Sequence, residues 1–179
     1  MNYETIADIY LANEKFRRAL QVMVNTISPD EAVALPDGEK WSIQQIVEHI
    51  SIVDSGISRI CEKLLAAAKD EGKLSDGSFA LPAKFGERAA EIAVMKVEAP
   101  DRVQPSGNVS IPEAMENMIA SYEALCAMRP DLERYDVSGP KFPHPFFGDL
   151  TAGEWLVMAG LHQHRHTRQI ERLLDQVRQ

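Results

Sequence analysis

Apolar residues near the start of the chain recur at helical spacing. Ile6, Phe16, Leu20, Met23 and Ile27 fall on one face, with Glu14, Lys15, Arg17 and Arg18 between them, which predicts an amphipathic helix over 2–27. Ser28-Pro29-Asp30 is expected to stop it, and Pro36-Asp37-Gly38 belongs to the loop that follows. A second helix over 42–68 opens on a capping box, Ser42 with Gln45, and continues through Ile46, Ile50, Val53, Ile57, Ile60 and Leu64. A third, over 111–129, starts behind Ser110 and Glu113, carries Met115, Met118, Tyr122 and Leu125, and should end before Pro130. A fourth, over 151–177, starts at Thr151 and Glu154 and presents Trp155, Ala159, His162, His166, Gln169 and Leu173 as one stripe. Four stripes too wide to leave in water must pack on one another, so the expected fold is all-α, a four-helix bundle in a single domain over 1–179.

Two stretches break this pattern. From about Lys69 to Asn108 the chain carries Gly72, Gly77, Pro82, Gly86, Pro100, Pro105 and Gly107, with one short helix expected around Glu87 to Lys96. This reads as a long crossover between the second and third main helices that covers one end of the bundle. The segment Phe142-Pro143-His144-Pro145-Phe146-Phe147-Gly148-Asp149 cannot be helical, because each proline blocks the helix and restricts the residue before it, and it reads as a shaped loop.

The chemistry gathers on the last helix. His162 and His166 are four residues apart, so their side chains lie on one side of the helix and can reach one ion. They also lie on the inward stripe, where a polar group without a partner costs roughly 1–3 kcal/mol. His49, placed between Ile46 and Val53 on the second helix, projects into the same interior. A histidine on an apolar face is ordinarily a satisfied core residue; beside an inward His-x-x-x-His pair it becomes the candidate third ligand. His164 lies about 200° round the helix from either neighbour and is expected in solvent. His144 sits in the proline loop, where a loop-stabilising hydrogen bond is favoured over a fourth ligand or an acid–base role. Gln169, one turn beyond His166, either orients a ligand or water or makes an ordinary buried hydrogen bond, and Arg168 and Glu171 are expected to be solvated.

Composition narrows the partners. Asp and Glu outnumber Lys and Arg by 27 to 19, a formal charge of −8 with no basic cluster, which argues against nucleic acid. There is no run of about 18 apolar residues and no basic, apolar leader at Met1-Asn2-Tyr3-Glu4, so a soluble cytoplasmic protein with no membrane partner is expected. Cys61 and Cys126 are far apart inside helical patterns and read as small buried thiols. No Gly-rich phosphate loop and no G-x-S-x-G nucleophile motif occurs, which counts against nucleotide enzymes and serine hydrolases.

Three sets of residues together resemble the DinB-like superfamily, which includes the YfiT-like metal-dependent hydrolases and thiol transferases. They are Trp41-Ser42-x-x-x-Ile46-x-x-His49, then His144-Pro145-x-Phe147-Gly148-x-Leu150-Thr151 followed by Glu154-Trp155, and His162-x-x-x-His166-x-x-Gln169-Ile170. The crossover from Ala99-Pro100 to Gln104-Pro105-Ser106-Gly107 is similar to that family as well. The resemblance implies its bundle, with the long crossover between helices two and three, a divalent metal on His49, His162 and His166, and a homodimer. It further implies a small-molecule substrate and the use of a low-molecular-weight thiol.

Three imidazoles suit zinc or nickel and leave at least one coordination position for water or substrate. A zinc ion so held can lower the pKa of water to about 7 or keep a thiol deprotonated. Three readings follow: a metal-dependent thiol S-transferase or hydrolase; a non-catalytic, stress-associated bundle that binds a metal or small ligand; and a structural bundle whose histidines are satisfied by hydrogen bonds.

Overall fold

Side-chain caps set where the long helices begin. Thr5, Ser42 and Thr151 each accept a hydrogen bond from the backbone N–H three residues on, and the side chains of Asp8, Gln45 and Glu154 accept one from the cap's own N–H, satisfying backbone N–H groups that a helix start leaves without partners. In the computed structural model, which describes residues 3–95 and 97–179, α1 runs Ile6–Val24, α2 Pro29–Val33, α3 Ile43–Glu71, α4 Ala83–Val94, α5 Ile111–Arg134 and α6 Ala152–Val177. A 3-10 turn at Asp101–Val103 lies in the crossover, and strands β1 (Lys141–His144) and β2 (Gly148–Thr151) precede α6. The helices α1, α3, α5 and α6 form the four-helix bundle, with α1 packed on α6, α6 on α3, α3 on α5 and α5 on α1. Among the described residues no helix is long and apolar enough to cross a membrane.

Four expectations shift. Ser28-Pro29-Asp30 ends no helix; Ser28 caps the short α2, with Pro29 in the first turn, where a missing N–H costs nothing. α3 continues to Glu71, and Gly72 at φ +68° closes it by donating to the Ala68 and Lys69 carbonyls. α5 passes through Pro130 to Arg134, because Pro130 is exposed while fully buried Leu132 anchors the final turn. The proline loop is an antiparallel hairpin, pairing Phe142 with Leu150 and His144 with Gly148. Its half-buried Phe142 and His144 alternate with exposed Lys141 and Pro143, the period-two pattern of a strand. Asn2 and Lys96, expected limits of two helices, lie outside the described residues.

The core divides in two. One cluster includes Ile9, Ile57, Leu64, Leu132 and Leu156; the other includes Leu20, Ile43, Ile50, Met118, Ile170 and Leu173. Between them every long helix contributes a buried polar side chain: Asn13, Asp54, Ser121, and Gln163 with Thr167. Gln163 Nε2 donates to Asp54 Oδ2 at 2.6 Å, Asn13 Nδ2 donates to the Leu156 carbonyl at 2.9 Å, and the Ser121 and Thr167 hydroxyls donate to the Asn117 and Gln163 carbonyls of their own helices. Burial raises the Asp54 carboxyl to about 7, opposed by the Gln163 hydrogen bond.

Because the folded state holds this proton more tightly than the unfolded chain, Asp54 contributes stability below the unfolded pKa near 4 that is lost as pH rises toward 7. Asp54→Asn, which mimics the protonated acid, should therefore gain stability relative to the parent as pH rises from 4 to 8. Urea unfolding of both proteins across that range checks this, and a difference independent of pH would show that Asp54 ionises normally in the fold.

Candidate metal centre

His49 on α3 and His162 and His166 on α6 meet because these two helices pack side by side. One ring nitrogen from each lies within 4.8 Å of the others, and the ring centroids are 4.4 to 5.0 Å apart. Which nitrogen faces inward follows from the outer hydrogen bonds. His49 Nδ1 lies 2.7 Å from the Val103 carbonyl, which can only accept, so Nδ1 carries the proton and Nε2 presents its lone pair. His166 Nδ1 likewise donates to Gln169 Oε1 at 2.8 Å.

The turn bearing Val103 is itself held by the residue beside His49. Glu48, only 2% exposed, accepts from the Ser106 backbone N–H at 2.8 Å, the Ser106 hydroxyl at 2.7 Å and the Gly107 N–H at 2.8 Å. Gly107, at φ +79°, can turn its N–H toward the carboxylate at no steric cost. Consecutive residues of α3 thus bind the crossover, one through its charge and one through its imidazole. The Trp41 ring packs on His49 at 4.9 Å and completes its surroundings.

All three imidazoles are held neutral. Burial is the first cause in each: it lowers His49, takes His162 well below the ordinary histidine value and brings His166 to about 3, with Arg165 adding to the effect in all three and neighbouring imidazoles in His162 and His166. Neutral imidazole is the form that binds metal. The nitrogens His49 Nε2 and His162 Nε2 are 3.1 Å apart, and His162 Nδ1 is buried without a partner. A single proton between them would serve two nitrogens, whereas a divalent cation serves all three. The residues therefore fit the expected ion.

The other histidines stand outside this group. His164 is half-buried and stacks on Phe16 at 4.8 Å, so the expected solvated position is corrected: α1 packs against that side of α6. His144 makes the loop-stabilising bond, its Nδ1 accepting from the Phe146 N–H at 3.1 Å, which places its proton on Nε2. Burial, aided by the charge of Arg102, lowers it to about 4. Gln169 holds the His166 ring through that hydrogen bond, and Arg168 pairs with Glu171 in solvent. Cys61 is buried with its thiol pushed up to about 12, while Cys126 is half-buried. The reading from sequence passed over Glu48 and Arg165. A carboxylate between Val47 and His49 on an apolar face, with a Ser-Gly loop downstream to receive it, was the available signal for the first.

The profile of the DinB superfamily matches residues 12–170. The chain belongs to that superfamily. This DinB member is similar to the uncharacterized protein YuaE of Bacillus subtilis (strain 168), 23% identical over 155 residues that cover 84% of this chain and 88% of that one. Its fold is similar to that of TT2238, described as a four-helix bundle protein, with a TM-score of 0.61 and 19% identity over 94% of this chain and 99% of the other.

Metal affinity measured by titration calorimetry should fall for His49→Ala, His162→Ala and His166→Ala by more than the roughly 10–100-fold that loss of an orienting partner costs. Glu48→Gln and Gln169→Ala should fall within that range, and His164→Ala should match the parent. Wild-type affinity in His49→Ala would move the third ligand to His144 or to a carboxylate.

Proposed function

We propose that this DinB protein is a metal-dependent enzyme, a thiol S-transferase or a closely related hydrolase, with zinc or nickel on His49, His162 and His166. The observation that carries the reading is a set of three neutral nitrogen donors with no fourth His, Cys, Asp or Glu joining them among the described residues. Structural zinc sites close with four protein ligands, whereas catalytic sites keep three and leave a place for a reactant. When bound, the ion supplies the Lewis acidity that turns a water or thiol into a nucleophile at neutral pH.

The chain's own residues then have defined tasks. The Val103 carbonyl and Gln169 fix the tautomers of His49 and His166, so neither of these two must rotate or lose a proton before binding. His144, neutral and with its proton on Nε2, is a hydrogen-bond donor close enough for its charge state to act on His162. The nucleophile comes from outside, since Cys61 is buried with a raised pKa and neither cysteine joins the cluster. A homodimer belongs to the same reading: Leu11 and Val22, 61% and 62% exposed, lie eleven residues apart on one face of α1.

Untagged protein should purify with, or take up, about one divalent ion per chain and turn over a thiol and an electrophile such as 1-chloro-2,4-dinitrobenzene, or hydrolyse an activated ester or amide. Chelation should abolish the activity, zinc or nickel should restore it, and His162→Ala should lack it. Metal-replete protein that binds thiols yet transforms nothing across such panels would instead be a non-catalytic binder. Light scattering should give twice the 20.0 kDa chain mass.

A further inference from the structure

The crossover between α3 and α5 is anchored unequally along its length. Its first part is tied to the backbone of residues 134–136 and to the core: Ser75 N–H donates to the Arg134 carbonyl and Asp136 N–H to the Lys73 carbonyl, each at 2.9 Å, and Phe85 and Ile92 are buried. From 95 to 113 no described residue is buried. Segment 97–107 lies against α3 through polar contacts instead. Glu48 takes three donors from Ser106 and Gly107, Gln44 Nε2 donates to the Gly107 carbonyl at 3.2 Å, and His49 Nδ1–H donates to the Val103 carbonyl at 2.7 Å. The Lys40–Glu98 pair at 3.3 Å is exposed on both sides and adds little. The segment is also bonded to itself. Gln104 Nε2 donates to the Ala99 carbonyl at 2.9 Å, the Val103 and Gln104 N–H groups donate to the Pro100 and Asp101 carbonyls, and Pro100 and Pro105 fix φ at two further positions. A preformed segment held by a few polar contacts attaches and detaches as a unit, and such units open at the low end of a protein's range of local stabilities.

One of those contacts also belongs to the centre. A ring that ligates through Nε2 is a stronger donor at Nδ1–H, and a ring whose Nδ1–H is bonded to a carbonyl is a better ligand at Nε2. Two equilibria that share a bond in this way are linked, and the factor by which one favours the other is the same in both directions. We propose that 97–107 is a metal-coupled strap: its docking on α3 through Glu48 and Val103, and metal binding at His49, His162 and His166, reinforce each other, so that loss of the ion loosens the crossover. The inference rests on the metal centre of the reading above and adds a conformational response to it. Ser106 and Gly107, which bond to Glu48 rather than to a histidine, thereby become positioning residues for His49.

Amide exchange followed by NMR on the full chain, metal-free and loaded with zinc(II), tests the coupling. Zinc should raise the protection of the Ser106 and Gly107 amides roughly tenfold more than that of the Ser75 and Asp136 amides, which hold the other end of the crossover; this is the scale of one orienting partner. Ser106→Ala removes the hydroxyl donor at an exposed position, and Gly107→Ala puts a Cβ on a backbone at φ +79°, 3.3 Å from Gln45 Nε2. Each should lower protection at these amides, and each should bind zinc up to roughly tenfold more weakly by calorimetry, as reciprocity requires. Lys40→Ala, which breaks only the exposed pair, should match the parent in both measurements. Ring nitrogen shifts in metal-free protein should report His49 as the Nδ1–H tautomer in the parent and as a mixture in the two clamp variants, a change that a merely structural loop would not produce. An equal gain in protection at all four amides, or parental zinc affinity in a variant whose Ser106 or Gly107 amide has lost its protection, overturns the strap and leaves the metal centre standing. A chain that takes up no zinc removes the metal reading and the coupling together.

Discussion

The site depends on a buried negative charge. Glu48 sits at 2% exposure with no basic side chain paired to it, and only the three donors of Ser106 and Gly107 make its place in the bundle tolerable. Hydrogen bonds to a charged group contribute about 1.5–3 kcal/mol each, while an unsatisfied buried carboxylate would cost several kcal/mol. The crossover is thus bound to the middle of α3's first half by a charge that has nowhere else to go. Val103 arrives at His49 as a consequence, and with it the tautomer that turns Nε2 inward.

The polar layer across the bundle adds a second constraint. Asn13, Asp54, Ser121, Gln163 and Thr167 interrupt the apolar core where hydrophobic side chains would have been more stabilising. Gly160 belongs to the same arrangement, since a Cβ there would lie 2.1 Å from Asn13 Oδ1 and would displace the side chain that donates to the Leu156 carbonyl. The Gln163–Asp54 bond joins α6 to α3 one residue past His162, and it sets the register in which the histidines of the two helices meet. Such layers are one means by which bundles select a single register over near-equivalent slips.

Charge is distributed unevenly around this framework. Arg17, Arg88, Arg129 and Arg168 are each answered by a glutamate three or four residues away on the same helix, pairs worth only tenths of a kcal/mol in water. Among the described residues Arg165 makes no such pair, and its charge opposes protonation of His49, His162 and His166, as that of Arg102 does for His144.

Local information alone determined the four long helices, because caps such as Ser42 with Gln45 and stripes such as Ile46, Ile50 and Ile57 act within a few turns. It also determined that His49, His162 and His166 point inward, since helical periodicity decides which face a residue occupies. Where local rules compete, sequence was less decisive: Ser28-Pro29 serves equally as a stop and as a cap, and Pro130 ends an isolated helix but not one whose next turn is anchored by Leu132. The proline-rich segment became a hairpin through pairing with residues beyond it and through Trp155, whose indole N–H donates to the Phe142 carbonyl at 3.2 Å. Only the tertiary structure could decide which nitrogen of His49 faces the centre. That choice rests on the Val103 carbonyl, 54 residues from His49, and on the clamp that Glu48 makes 58 and 59 residues along the chain, contacts that no periodicity encodes.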